Sequence, residues 1–259
     1  MQVQMRKYAL TLRAGLAVVV VLALKLGAHY CGWEWLSLNP LFSGVVAANV
    51  FLMGFLLSGV LTDYKESERL PGELAGSLEA LIDEGKSALH KVKSLEAQGY
   101  LRHVIFLTTA VHEWFYRREK TRSLMQRLAD LNPHFVALEK HIPANYIARL
   151  KQEQSVVRRL MIRAHTIRET SFISSGYRIA EWTTLFLVLG LIMVRIDPFY
   201  EALFVVGIIT FLLTYLIFLI HDLDNPFGYT DSDSAEDVSL KPISDLIERD
   251  SEGTMDTRT

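Results

Sequence analysis

Side chains able to do chemistry are sparse in this 259-residue chain, and their spacing does not gather them into a reaction centre. His112-Glu113 opens like a zinc-protease motif. That motif needs a second histidine four residues after the first, and position 116 is Tyr116. Six histidines between residues 90 and 165 show no ligand spacing, so packing and surface roles are the plainer reading. Cys31 is the single cysteine, which excludes an intramolecular disulfide and a cysteine zinc cluster. No glycine-rich phosphate loop, nucleophile elbow or carboxylate pair is present. The chain is therefore expected not to be an enzyme and to carry no cofactor. Arg158, Arg159, Arg163 and Arg168 form a basic run on one helix. A solvated face or a contact with lipid headgroups is the plain reading. An electropositive vestibule that concentrates anions is the sharper one.

The elements around these residues point to a membrane. Residues 41–62, LFSGVVAANVFLMGFLLSGVLT, run for 22 positions without a charge and are followed at once by DYKESER. A helix of that length is about 30 Å long, the thickness of a bilayer core. Gly44, Ala47, Ala48 and Gly54 are small, with Ser43, Ser58 and Gly59 near the ends. Small residues let helices approach closely, so this span is expected to pack against protein. Asn49 is its one strongly polar side chain, and an interhelical hydrogen bond is its expected role.

Three further apolar segments accompany it. Residues 14–36 are interrupted by Lys25, expected to snorkel to an interface, and end in the aromatic Tyr30, Trp33 and Trp35. A retained helix is preferred over a signal peptide, because no small-residue cleavage site precedes the tryptophans. Residues 182–194 are uncharged and reach across together with residues 172–180, while 202–220 form a clean fourth span. Between the second and third spans the pattern is helical, with Leu74, Leu78, Leu81, Ile82, Leu89 and Val92 at helical spacing. Breaks are expected at Gly99, at Asn132-Pro133 and at Pro143, and no alternating β pattern appears.

This gives an all-α membrane protein with four transmembrane helices and a long helical insert between the second and third. The expected divisions are 1–62 for the first two spans, 63–180 for the insert, 181–222 for the last two spans, and 223–259 for an acidic tail. Residues 1–13 carry Arg6, Lys7 and Arg13 and no acid, and residues 63–180 carry 19 basic against 14 acidic side chains. The positive-inside rule then places both termini and the insert in the cytoplasm, with the bacterial inner membrane as the expected location. Residues 221–259 carry 3 basic and 11 acidic side chains, a Ser/Asp-rich composition that suits a solvated end.

Two stretches in this arrangement resemble the bestrophins and the bestrophin-like families of bacteria and plants. One is Gly54-Phe55, then Ser58, then TDYKESER, similar to the run at the end of the family's second helix. The other is DLDNPFG, residues 222–228, with Asp222, Asp224, Asn225, Pro226, Phe227 and Gly228, directly after the last span. The membrane parts are covered, and the insert matches in length and helicity. Leu56-Leu57 stand where many family members have polar residues.

What the resemblance implies is a homopentameric ion channel, anion and in particular chloride permeable, in contact with membrane lipid and not with nucleic acid. Its pore would be lined by the second helix, and the neck positions carry over to Ala47, Phe51 and Phe55. These are spaced by four and share one helix face. Rings of apolar side chains can close a pore by dewetting. The plainer reading of both phenylalanines is ordinary packing or lipid contact. In animal members an acidic cluster after the second motif binds calcium. Here Asp231, Asp233, Glu236 and Asp237 occupy that place, with Asp231, Asp233 and Asp237 as weak calcium candidates, and a solvated tail is the plainer reading. The rival function class is a membrane-anchored interaction or sensor protein whose insert binds a partner.

Overall fold

A computed structural model describes residues 8–170, 174–229 and 237–256. The chain divides into two compact units. Of the described residues, the first holds 8–64, 174–226 and 237, and the second holds 65–170, 227–229 and 238–256.

The first unit contains the spans. Among the described residues four helices are long and apolar enough to cross a membrane. They are α1 (Ala9–Tyr30), α2 (Pro40–Val92), α7 (Ser174–Met193) and α8 (Phe199–Leu223). α1 begins five residues before the expected 14–36 segment and stops at Tyr30, leaving Trp33 and Trp35 exposed in the following loop. α1 packs on α7 and α8, and α7 on α8. α2 starts at Pro40, where the missing N–H needs no partner, and the Asn39 side chain accepts from the Phe42 N–H at 2.8 Å. β1 (Leu36–Ser37) pairs in parallel with β2 (Val194–Arg195). This short pairing joins the α1–α2 loop to the end of α7.

Lys25 does not snorkel. It is fully buried, and its ammonium donates to the carbonyl oxygens of Ile192, at 3.2 Å, and Val194. It also pairs with Glu34 Oε1 at 2.6 Å. The other Glu34 oxygen bonds His29 Nδ1 at 2.8 Å, and the His29 ring stacks on Phe199 with centroids 3.9 Å apart. A cation at the C-terminal carbonyls of α7 is favourably placed, because those groups have no helical partner.

The second unit is built on the later part of α2 with α3 (Leu95–Phe115), α4 (Thr121–Ala129), α5 (Leu131–Leu138), α6 (Ala144–Glu169) and α9 (Lys241–Asp256). α2 runs without a break from the span into this unit, through Pro71. An interior proline costs about 3 kcal/mol. Burial of Leu70, Leu74, Ala75 and Leu78 around it offsets that cost. The helix ends at Lys93, which has a left-handed φ of 50°, and Ser94 caps α3 by accepting from Ala97 N at 3.2 Å. Gly99, the expected break, lies inside α3. Pro133 likewise does not end a helix but sits in the first turn of α5, where a proline is tolerated. The apolar face of α3, with Val104, Leu107, Val111 and Trp114, is core rather than membrane. Tyr100 lies over Gly85, donating to the Leu81 carbonyl at 3.0 Å.

The acidic tail is also more structured than its charge implied. α9 is amphipathic: Ile243 and Leu246 are buried, with Val238 and Leu240 just before it. Polar contacts fix it in the second unit, where Ser244 meets His112 Nε2 at 3.2 Å, Lys86 meets Asp250 at 2.7 Å, and Arg249 meets Glu79 at 2.9 Å. His112 thus has a partner in the fold in place of a metal.

His134 supplies a pH signature for this unit. Burial holds its imidazole below the ordinary value, and the like charge of His103, 5.1 Å away ring to ring, acts the same way; Asp130 opposes them. His103 Nε2 faces the Arg127 carbonyl at 2.8 Å and must carry a hydrogen there. The unfolded chain therefore takes up a proton at His134 first as pH falls, and stability declines from about pH 6.5 downward. In thermal unfolding between pH 7.5 and 5.5, His134→Gln is expected to flatten that decline by up to about one proton.

Candidate pore-lining helix and its supports

The membrane part of α2 presents two different faces. Val46, Asn49, Val50, Met53, Leu56, Leu57 and Val60 are turned to the chain's own helices, where Met53, Leu56 and Val60 join Tyr177, Ala180, Leu187, Leu213, Ile220 and Leu223 in one core. The other face is exposed in the single chain and carries Ala47, Phe51, Gly54, Phe55 and Ser58. Phe51 is 78% and Phe55 59% exposed. The periodicity of the helix alone produces this separation: positions 47, 51, 55 and 58 recur at three or four residues, and 49, 53, 56 and 60 do the same on the other side.

The small residues of α2 do not make its contacts within the chain. A Cβ added at Gly44 or Gly54 would meet nothing within 4 Å. The glycine that permits close approach is instead Gly190 of α7, where an added Cβ would stand 2.9 Å from the Phe42 ring. The expectation that the small residues of α2 set its packing is corrected for contacts within one chain: large residues pack, and small ones share the exposed face with the phenylalanines.

Asn49 fixes the orientation of this helix. It is 4% exposed, its Nδ2 donates to Thr184 Oγ1 at 2.9 Å, and its Oδ1 accepts from Thr183 Oγ1 at 2.6 Å. Both partners are on α7, so the expected interhelical bond is present. Interhelical hydrogen bonds of this kind contribute about 1 kcal/mol. Asn49→Leu is expected to lower stability by about that amount in detergent unfolding, and to leave the fold intact.

The second motif divides between the units. In the first, Asp224 caps the C-terminus of α8 and Asp224 Oδ1 accepts from the Tyr177 hydroxyl of α7 at 2.8 Å. Asp222 is buried, and the Asn225 N–H turns back to the Asp222 carbonyl at 3.3 Å. Pro226 follows, a residue that cannot continue the helix. Beside this turn His221 Nε2 meets Glu181 Oε1 at 2.7 Å. In the second unit Phe227 is buried against Phe115, with centroids 5.2 Å apart, and Gly228 is buried next to it. Tyr229 then donates to the Val238 carbonyl at 2.6 Å. The motif therefore ends one helix and anchors the chain that follows.

The remaining candidates are placed as follows. Asp231 and Asp233 lie outside the described residues, as does Glu236, and Asp237 is half-buried and bonded. Among the described residues no group of three or more His, Cys, Asp or Glu side chains could hold a metal. Of the basic run on α6, Arg163 makes a two-pronged pair with Glu66, with Nε at 2.6 Å from Oε1. Arg168 is nearly buried, lies 4.3 Å over the Trp114 ring and donates to the Trp114 carbonyl at 3.2 Å. Cation–π geometry and a local acid thus occupy two of the four arginines.

No family model and no curated protein matches the chain. Solved structures do. A variant of a bacterial bestrophin homologue from Klebsiella pneumoniae superposes with a TM-score of 0.72 at 15% identity, over 92% of this chain and 95% of that one. A second variant covers 96% and 98% with a TM-score of 0.70 at 15% identity. A structure described only as a membrane protein gives 0.74 at 14% identity, over 90% and 95%. Agreement over nine-tenths of both chains includes the helical insert, where the sequence matched in length and helicity alone. The chain is an all-α membrane protein with the bestrophin fold.

Proposed function

We propose that this chain is the subunit of a bestrophin-like ion channel, with the exposed face of α2 lining a narrow apolar neck at Ala47, Phe51 and Phe55. The observation that carries the reading is the division of α2 described above. A spanning helix that turns two phenylalanines and a row of small residues away from its own chain is suited to a central axis shared by several copies. Phenylalanine rings at such an axis close it by excluding water and present positive ring edges to an anion. Chloride is the proposed permeant ion, and a homopentamer the proposed assembly. Gly54 and Ser58 are proposed as small residues of the same exposed face, and the 222–228 turn as the support of the end of α8, none of them as ion ligands. The role is that of a conductor and not of a catalyst. Both termini are proposed to face the cytoplasm at a bacterial inner membrane, a reading supported by the cationic residues 1–13 and the basic insert.

The test is chloride efflux from liposomes holding the purified protein, with subunits counted by mass in detergent. Efflux from a pentamer supports the proposal. A monomer or dimer without efflux favours a membrane-anchored interaction protein instead.

A further inference from the structure

We propose that the second unit carries a binding site for a short-chain carboxylate, between the end of α2 and the start of α6. The site is a cavity of about 90 Å³. Glu84, Ser87, Ala88 and Lys91 of α2 line one side. Ile142 and Pro143, with Tyr146 and Leu150 of α6, line the other. The inference is independent of ion conduction.

Helix periodicity creates the cavity. The four α2 residues recur at i, i+3, i+4 and i+7, so one helix face supplies them all. α6 lies against that face, where Arg149 reaches Glu84 at 2.9 Å. Ala88 stands in the middle of the face, and a methyl group there leaves the space open. The floor is apolar: Leu150 is 2%, Ala88 7% and Ile142 8% exposed. Pro143 and Tyr146 are exposed members of the lining, so the cavity is reached from solvent.

Charge selects the occupant. Glu84 is satisfied by Arg149, a pair of no net charge. Seven residues and about 10 Å further along α2, Lys91 is an exposed cation. Among the described residues no acid pairs with Lys91, and no group hydrogen-bonds the Ser87 side chain one turn before it. A ligand that fits therefore lays an apolar body on the floor and turns an anionic head to Lys91 and Ser87. A carboxylate accepts from both the ammonium and the hydroxyl. An inorganic anion would leave the apolar floor uncovered, and an amine would meet the like charges of Lys91 and Arg149. The volume, about three waters' share of the liquid, limits the body to about three or four carbons.

The experiment is a fluorine NMR titration of the full chain in detergent with trifluorobutyrate, fluorinated at its methyl end, with protein-free micelles as the blank. The wild type is expected to shift the signal saturably. Trifluoroacetate has the head without the body, and trifluorobutylamine has the body with a cationic head. Both are expected to bind roughly tenfold more weakly. Lys91→Gln is expected to weaken trifluorobutyrate roughly fivefold. Ser87→Trp, which fills the cavity, is expected to remove binding. Both positions are exposed, so neither change disturbs the core. Lys93→Gln, at an exposed cation outside the lining, is expected to leave binding as it is. Equal binding of the amine, unchanged binding in Lys91→Gln and Ser87→Trp, or a wild-type signal that matches the micelle blank overturns the proposal.

Discussion

Phe51→Ala and Phe55→Ala together are expected to raise single-channel conductance in planar bilayers by about tenfold and to remove spontaneous closure. Each substitution takes a phenyl ring out of the proposed neck and leaves a methyl group, so the ring of subunits no longer excludes water. Neither side chain packs in the core of the chain, since Phe51 is 78% and Phe55 59% exposed. The same changes should therefore leave folding of the subunit unaffected, and unfolding temperature is the control. A core mutation would behave in the opposite way: Met53→Ala, at a fully buried position, should cost about 2–5 kcal/mol of stability with no specific effect on closure. Conductance unchanged in the double alanine variant would mean that these rings face lipid.

Lys25→Met is expected to destabilise the protein by about 3–5 kcal/mol, the largest single effect predicted for a side chain outside the neck. Removal of the ammonium leaves Glu34, and the carbonyls of Ile192 and Val194, without their cation. Glu34 keeps His29 on one oxygen, but its buried Oε1, which faces the ammonium, bears a desolvation cost once that cation is gone. Lys25→Met combined with Glu34→Gln removes both charges and should recover much of the loss. Thermal unfolding of the single and double variants in detergent checks this. A loss below about 1 kcal/mol for Lys25→Met would show that the pair is solvated rather than buried.

These two cases also show what the sequence could and could not reveal. The spans were legible because a bilayer demands about 20 apolar residues, and composition reports that directly. The partner of Asn49 was legible in kind, since an amide in a spanning helix needs one, but not in identity, because Thr183 and Thr184 lie 134 and 135 residues away. Lys25 was misread for the same reason: its neighbours in sequence are apolar, and Ile192 and Val194 are remote. The break placed at Gly99 followed propensity, which tertiary packing overrode, and the one placed at Asn132-Pro133 falls a few residues earlier, at Asp130. The signals that did apply were smaller: Ser94 as an N-cap, and Pro133 tolerated in a first turn. α9 was hidden by net charge. Its Val238, Leu240, Ile243 and Leu246 form an apolar face that a helical template applied to the tail would have found. The face holding Ala47, Phe51 and Phe55 was legible as a face, and the structure adds that the rest of the chain leaves it uncovered.

The central claim, that this face lines a conducting pore, is tested most directly by thiol block in planar bilayers. Single cysteines at positions 47, 51, 55, 49 and 53 are placed in a Cys31→Ser background and exposed to a charged, water-soluble methanethiosulfonate reagent. The account predicts rapid loss of current for Ala47→Cys, Phe51→Cys and Phe55→Cys, and none for Asn49→Cys and Met53→Cys. Current that survives at the first three positions, or is lost at the last two, would contradict it.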